Sequence, residues 1–166
     1  MDVRIRLERP EDRDAIFDLT KRAFAPMPYA GGDEQELIDK LRAAGALSLS
    51  AVAVLGDAIV GHVALSPATH ESGETGWYTL GPISAEPAMQ RSGIGRSLIA
   101  FACAWLEAQG ARGCILTGNP AYYTRFGFAV APGHAPANAQ PAFFMVLPLK
   151  GECPAGHFRF HPVFGS

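Results

Sequence analysis

The segment Gln90-Arg91-Ser92-Gly93-Ile94-Gly95-Arg96-Ser97 concentrates groups suited to one task, holding an anion. Two glycines one residue apart let a backbone approach a ligand closely and aim N–H groups at it. Arg91 and Arg96 bracket them and add charge-assisted donors suited to phosphate. A dinucleotide fold would want a third glycine where Leu98 stands, and a tight turn straight from a strand rather than the long run from Ala85 to Gly93. A P-loop would need Gly-Lys-Ser or Gly-Lys-Thr, and the chain has Gly95-Arg96-Ser97. Both fit poorly, and a structural turn with solvated arginines stands as the non-functional alternative.

Other residues are weaker candidates. Tyr122 and Tyr123 follow Asn119-Pro120, an N-cap and a first helical position; on a helix, neighbours point about 100° apart, so only one of the two rings should face a given ligand. Either could instead be a packed aromatic. Glu34, beside Gly31-Gly32 at a helix start, suits the helix dipole as a solvated acid or could serve as a base. His157 and His161 would share a strand face but lie roughly 13 Å apart at about 3.3 Å per residue, too far for one metal. His62, within an apolar strand, reads as a satisfied core histidine. No serine stands in a Gly-x-Ser-x-Gly turn, so a hydrolase triad lacks its starting point.

The elements that must position these groups follow from periodicity. Val3 to Leu7 alternates as a half-buried strand, and Pro10 opens a helix with Ile16, Leu19, Ala23 and Phe24 on its core face. After Pro26 and Pro28, a loop from Met27 to Gly32 leads to a second helix, about Asp33 to Ala44, burying Leu37, Ile38 and Leu41. Leu47 to Leu55 and Ala58 to Thr69 read as a hairpin about Gly56-Asp57. Trp77 to Ala85 is a further strand, and Gly81-Pro82 should bulge it or splay it from a neighbour. Glu86 to Ser92 is irregular, Gly93 to Gln109 is the longest helical pattern, and Cys114 to Thr117 is a short buried strand. A short helix runs from Pro120 to near Phe126, Ala129 to Pro141 is a long loop, and Phe143 to Leu149 and Phe158 to Val163 are the closing strands. The expected fold class is α/β: one domain over residues 1–166, with a mixed central sheet and helices on both faces.

A chain of 166 residues can bury a real core, and 48% hydrophobic against 18% charged residues excludes a disordered or low-complexity class. A formal charge of -2 is too weak for a partner held by neutralising many phosphates, so nucleic acid is not expected. Cys103 and Cys114 sit in apolar runs, and with Cys153 they form no Cys-x-x-Cys pair, which reads as a reduced, cytoplasmic protein. The sequence carries no signal-peptide pattern after Met1 and no uncharged stretch of about 18 residues, so no membrane span is expected.

The Gln-x-x-Gly-x-Gly cradle, after an interrupted strand and before a long amphipathic helix, resembles the acyl-CoA motif of the GCN5-related N-acetyltransferases. Tyr123-Thr124-Arg125-Phe126-Gly127-Phe128 is similar to the close of that family's last helix. Leu80-Gly81-Pro82-Ile83 and Asn119-Pro120-Ala121-Tyr122-Tyr123 look most like its bacterial YhbS-like members. The resemblance implies acetyl-CoA as cosubstrate, no metal, and transfer of the acetyl group to a primary amine of a small molecule or peptide. It assigns the pantetheine arm to backbone groups of Ile83, Ser84 and Ala85, and the pyrophosphate to Arg91, Ser92, Gly93, Ile94, Gly95 and Arg96. Tyr123 matches the family's general acid, leaving Asn119 and Tyr122 for cofactor contact. The strand before the cradle contains no carboxylate, so the base is either Glu34, beside the loop that walls the acceptor pocket in the family, or a water chain. A non-catalytic acyl-CoA sensor is the alternative, and a homodimer is compatible with either.

Overall fold

The computed structural model describes residues 2–28 and 30–165, so Tyr29, within the Met27–Gly32 loop, lies outside the described residues, as does Met1. Strands β1 (Val3–Leu7), β2 (Leu49–Leu55), β3 (Ala58–His70), β4 (Trp77–Ala85), β5 (Gly113–Thr117), β6 (Ala129–Val130) and β7 (Phe144–Pro148) form a mixed sheet in the order β1-β2-β3-β4-β5-β7-β6. A further strand, β8 (Phe158–Arg159), pairs with β3. The helices are α1 (Arg13–Phe24), α2 (Glu34–Ala43), α3 (Ile94–Ala108) and α4 (Pro120–Tyr123). By contacts the chain divides into two compact units, Met1–Leu65 with Gly81–Trp105, and Ser66–Leu80 with Leu106–Ser166.

In the first unit, β1 to β3 form an antiparallel meander whose pleat decides what each face meets. Val52 and Val54 turn to one face and pack with Ile16 of α1 and Ile38 of α2. Ala53 and its partner Gly61 turn to the other, where a Cβ on Gly61 would run into Ile94 and Leu98 of α3. Helices therefore cover both faces of this meander, and Gly61 lets α3 lie close against it.

In the second unit, β4 and β5 pair in parallel while β5, β6 and β7 are antiparallel. Trp77, Ile115, Phe144, Val146 and Phe158 form its core, with the Trp77 and Phe158 rings edge to face at 4.8 Å. Gly113 makes room for the indole, since a Cβ there would overlap it.

Two expectations are corrected. The stretch from Ala129 to Pro141 is not a plain loop: Ala129 and Val130 pair with Val146 and Met145, and two short 3-10 turns follow. A partner strand, not local composition, made those residues extended. The last strand stops at Arg159, because Pro162 lacks a ladder donor and the chain turns into a 3-10 segment whose cap is His161, its Nδ1 accepting the Val163 N–H at 3.1 Å. His157 and His161 therefore do not share a strand face; His157 Nδ1 instead bonds the Ala135 carbonyl at 2.7 Å.

Candidate functional site

In the first unit the site is built around the end of β4 and the start of α3. The β4–β5 ladder covers only Trp77 to Thr79 on β4, and Gly81-Pro82, a cis peptide, follows. Pro82 offers no N–H to a neighbour, and the ladder with β5 ends ahead of it while β4 itself runs on to Ala85. Beyond it, Ser84 is 5% exposed and its Oγ has no partner among the described residues. An orphaned hydroxyl on this strand fits a polar ligand lying along it, as a pantetheine arm would.

The approach to the cradle is a chain of short-range bonds. Glu86 donates its N–H to the Val60 carbonyl at 2.8 Å, a 3-10 turn covers Pro87–Met89, and Met89 N–H bonds the Glu86 carbonyl at 2.8 Å. Ser92 Oγ donates to the Met89 carbonyl. Arg91 has φ 69, a left-handed conformation that no other described non-glycine residue adopts, and Gly93 has φ 88. These reversals deliver the chain into α3, whose first turn closes with Ser97 N–H on the Gly93 carbonyl at 3.0 Å. The N–H groups of Ile94, Gly95 and Arg96 belong to the turn that has no acceptor within a helix, at its positive dipole end. Ile94, 3% exposed, anchors this end in the core, while Arg91, Ser92 and Arg96 are exposed. The arrangement fits a pyrophosphate: backbone donors fixed by a buried anchor, with two guanidinium groups free to reach the charge.

Glu34 opens α2 and turns its carboxylate back on its own loop, where Oε2 accepts the Gly31 N–H at 2.8 Å and Oε1 the Gly32 N–H at 3.1 Å. A carboxylate has about four lone-pair positions, so two remain for another donor.

The second unit carries Asn119, Tyr122 and Tyr123. Asn119 Oδ1 accepts the Ala121 N–H at 3.0 Å, the N-cap that its sequence position implied. The Tyr123 ring lies over Gly118, where any Cβ would collide with it, and it meets the buried Phe128 ring at 6.1 Å. Tyr122 stands edge to face with Tyr123 at 5.0 Å, and the Arg125 guanidinium lies 5.1 Å over the Tyr122 ring. Both tyrosines are thus held by their rings.

Two residues that position this site escaped the sequence reading. Glu86 is the first carboxylate after β4, passed over because the strand ends one residue earlier; its Oε2 pairs with Arg22 Nη2 at 2.7 Å. Gly118 immediately precedes the N-cap, and its small size is what admits the Tyr123 ring.

Away from the cradle, the first unit holds a half-buried polar chain that ends on the buried His62. Arg42 pairs with Glu8 through Nη2 and through Nε at 3.2 Å, Ser50 Oγ donates to Glu8 Oε1 at 2.8 Å, and His62 Nε2 lies 2.7 Å from the same hydroxyl. His62 Nδ1 has no partner among the described residues, so this core histidine is satisfied on one nitrogen only. Burial pushes its pKa down to about 4, with Arg42 adding to the shift and Glu8 opposing it. Among the described residues no three His, Cys, Asp or Glu side chains gather to hold a metal, no helix is long and apolar enough to cross a membrane, and no disulfide joins Cys103, Cys114 or Cys153.

Residues 13–128 match the acetyltransferase (GNAT) family. The uncharacterized N-acetyltransferase YhbS of Escherichia coli strain K12 is 30% identical over 131 residues, covering 78% of this chain and 75% of that protein. A GNAT family acetyltransferase from Brucella melitensis, solved in complex with acetyl-CoA, superposes with a TM-score of 0.88 at 42% identity over 98% of both chains. Escherichia coli YhbS in complex with CoA gives 0.89 at 26% identity, covering 99% of this chain and 92% of that one. The turn ahead of α3, the end of the β4–β5 ladder at Thr79 and the span of these matches agree, and the chain belongs to the GNAT family of acetyltransferases.

Proposed function

We propose that residues 1–166 act as one N-acetyltransferase domain that binds acetyl-CoA and passes its acetyl group to a primary amine of a small molecule or peptide. The observation that carries this reading is the start of α3, where Arg91 and Gly93 reverse the chain and leave a turn of N–H groups beside Arg91 and Arg96. Its chemistry matches the pyrophosphate that acetyl-CoA and CoA share, the molecules that two structural relatives hold. In this reading Arg91, Ser92, Gly93, Ile94, Gly95 and Arg96 bind the pyrophosphate, Ile83, Ser84 and Ala85 line the pantetheine arm, and Asn119 and Tyr122 complete the cofactor wall. When bound, acetyl-CoA supplies the activated thioester. Attack by the neutral amine forms the C–N bond and breaks the C–S bond, the leaving thiolate takes a proton from Tyr123, and the second proton shed by the nitrogen restores the Tyr123 hydroxyl. Glu34, directly or through water, takes the proton of the attacking ammonium. The reading places the protein in the cytoplasm, where acetyl-CoA and reduced thiols coexist.

Replacing Gly95 with valine puts a branched side chain where the backbone must approach the phosphates, and raises the acetyl-CoA dissociation constant at least tenfold, about 1.4 kcal/mol. Arg96→Ala weakens binding in a way that fades as salt rises. Calorimetry on the folded variants checks both; normal binding by either would overturn the cradle.

Glu34→Gln tests the base. It depresses turnover most at low pH, where the amine is nearly all ammonium, and a high-pH assay recovers much of the loss. A profile parallel to wild type would leave Glu34 as the fastener of Gly31 and Gly32 alone, and move the base to ordered water. Thiol release with a panel of amines separates the enzyme from a non-catalytic acyl-CoA sensor, which would bind acetyl-CoA without turnover.

A further inference from the structure

Six buried side-chain polar atoms have no partner among the described residues, and four of them share one face of one strand pair in the second unit: Ser66 Oγ, His70 Nε2, Trp77 Nε1 and Thr79 Oγ1. On β3, Ser66, Ala68 and His70 alternate to one side, as Trp77 and Thr79 do on neighbouring β4. Ala68 and Trp77 belong to one core cluster, so the two rows lie on the same face. Native cores leave few such atoms unserved, and four together ask for a common partner.

The chemistry of the four groups restricts what that partner is. His70 Nδ1 accepts the Ser72 N–H at 3.0 Å, so the neutral ring carries its proton on Nε2. The indole nitrogen of Trp77 is a donor only. Two N–H groups thus need an acceptor, while the hydroxyls of Ser66 and Thr79 can both give and take. The cluster that Ala68 and Trp77 join, with Ile115, Phe144, Val146 and Phe158, is apolar, so an ion would sit there uncompensated. The His70 and Trp77 rings stand edge to face with Phe158 at 4.7 and 4.8 Å, but a weak N–H bond to that ring would leave both hydroxyls unserved. A small neutral molecule that accepts and donates meets all four demands. Ser66 and His70 lie roughly 13 Å apart along β3 at about 3.3 Å per residue, with only Ala68 between them on that face, so one such molecule cannot span the row.

We propose that this face of β3 and β4 is a buried hydration site, in which a short row of ordered waters accepts His70 Nε2–H and Trp77 Nε1–H and joins the Thr79 and Ser66 hydroxyls. Each water then has the roughly two to four partners that hold internal water in place. Thr79 is also the last residue of β4 paired with β5, so the waters brace the strand where that ladder stops. The site is independent of the acetyl-CoA reading.

A crystal structure of the full chain, at a resolution that shows ordered water, tests the site. Enclosed waters are expected within about 3.2 Å of both His70 Nε2 and Trp77 Nε1, one of them bonded to Thr79 or Ser66. Water missing from either nitrogen or from both hydroxyls overturns the proposal, as does an ion or solute in its place. Thr79→Val, which keeps the shape and removes the hydroxyl, gives a second readout in urea unfolding. With water bonded to the hydroxyl, the midpoint falls by roughly 0.5 M, the size of one lost hydrogen bond. In a dry core the same change removes an orphaned polar group, so a midpoint equal to or above that of wild type overturns the site.

Discussion

Tyr123→Phe lowers turnover roughly 10²-fold while leaving acetyl-CoA affinity where it was, the size expected when a general acid is removed. The substitution is discriminating because of how the residue is held. Its ring packs over Gly118 and against Tyr122 and Phe128, and phenylalanine keeps every one of those contacts. Only the hydroxyl goes. A tyrosine that served packing alone would therefore tolerate the change with a wild-type rate. The measurement is thiol release with the most reactive amine of a panel of diamines, amino-acid amides and peptides, run beside acetyl-CoA calorimetry. Tyr122→Phe, in the same assay, gives the milder effect expected of a cofactor-wall residue. A wild-type rate from the Tyr123 variant would return the residue to packing.

The parts of this chain that were legible in its sequence are those whose cause is local. Pro10, Pro120 and Asn119 mark helix starts by what their own backbone and side chains can do, and each start lies where it was expected. Gly81-Pro82 announced where the ladder between β4 and β5 ends, because the missing N–H is a property of the residue itself, although the strand runs on to Ala85. The period of Ile16, Leu19 and Ala23 gave the buried face of α1 in the same way. Strands whose cause is a distant partner were not legible. Ala129 and Val130 carry no strand signal in so Pro-rich a stretch, and become one because Met145 and Val146 lie alongside. Phe158 to Val163 has the composition of a strand, yet only Phe158 and Arg159 find β3.

The same division runs through the site. Gly93 was readable as a point where the backbone turns closely, because its positive φ is a local demand that glycine meets without strain. Arg91 takes the left-handed conformation with no glycine to signal it, so the sequence suggested its charge and concealed its backbone. Glu34 was readable as an acid at a helix start, whereas its grip on Gly31 and Gly32 depends on how the loop closes. Glu86 and Arg22, far apart in sequence, meet only because the fold brings the end of α1 to the end of β4.

Acidifying the protein from pH 7 to 4.5 removes roughly 2 kcal/mol of stability through His62 alone. Ser50 gives its proton to Glu8, so His62 must donate from Nε2, which leaves Nδ1 as a bare acceptor with no partner among the described residues. Protonating Nδ1 would place a charge in a fully buried strand, which is why the folded pKa lies near 4 against an ordinary 6.5. Between those values the unfolded chain binds a proton that the folded chain refuses. Stability from this group is therefore complete above about pH 6.5, falls as pH drops toward 4, and is flat below. Asp12 loses its contribution in a lower window: its carboxylate, bonded by Arg6, titrates below the ordinary aspartate value of 3.8. Urea unfolding at pH 7 and 4.5 thus isolates the histidine. His62→Gln keeps a donor for Ser50 but cannot titrate, so it starts less stable at pH 7 through imperfect packing yet loses markedly less on acidification. Equal losses in the two proteins would mean that His62 accepts its proton in the folded state, and that its buried end of the polar chain opens to water before the fold does.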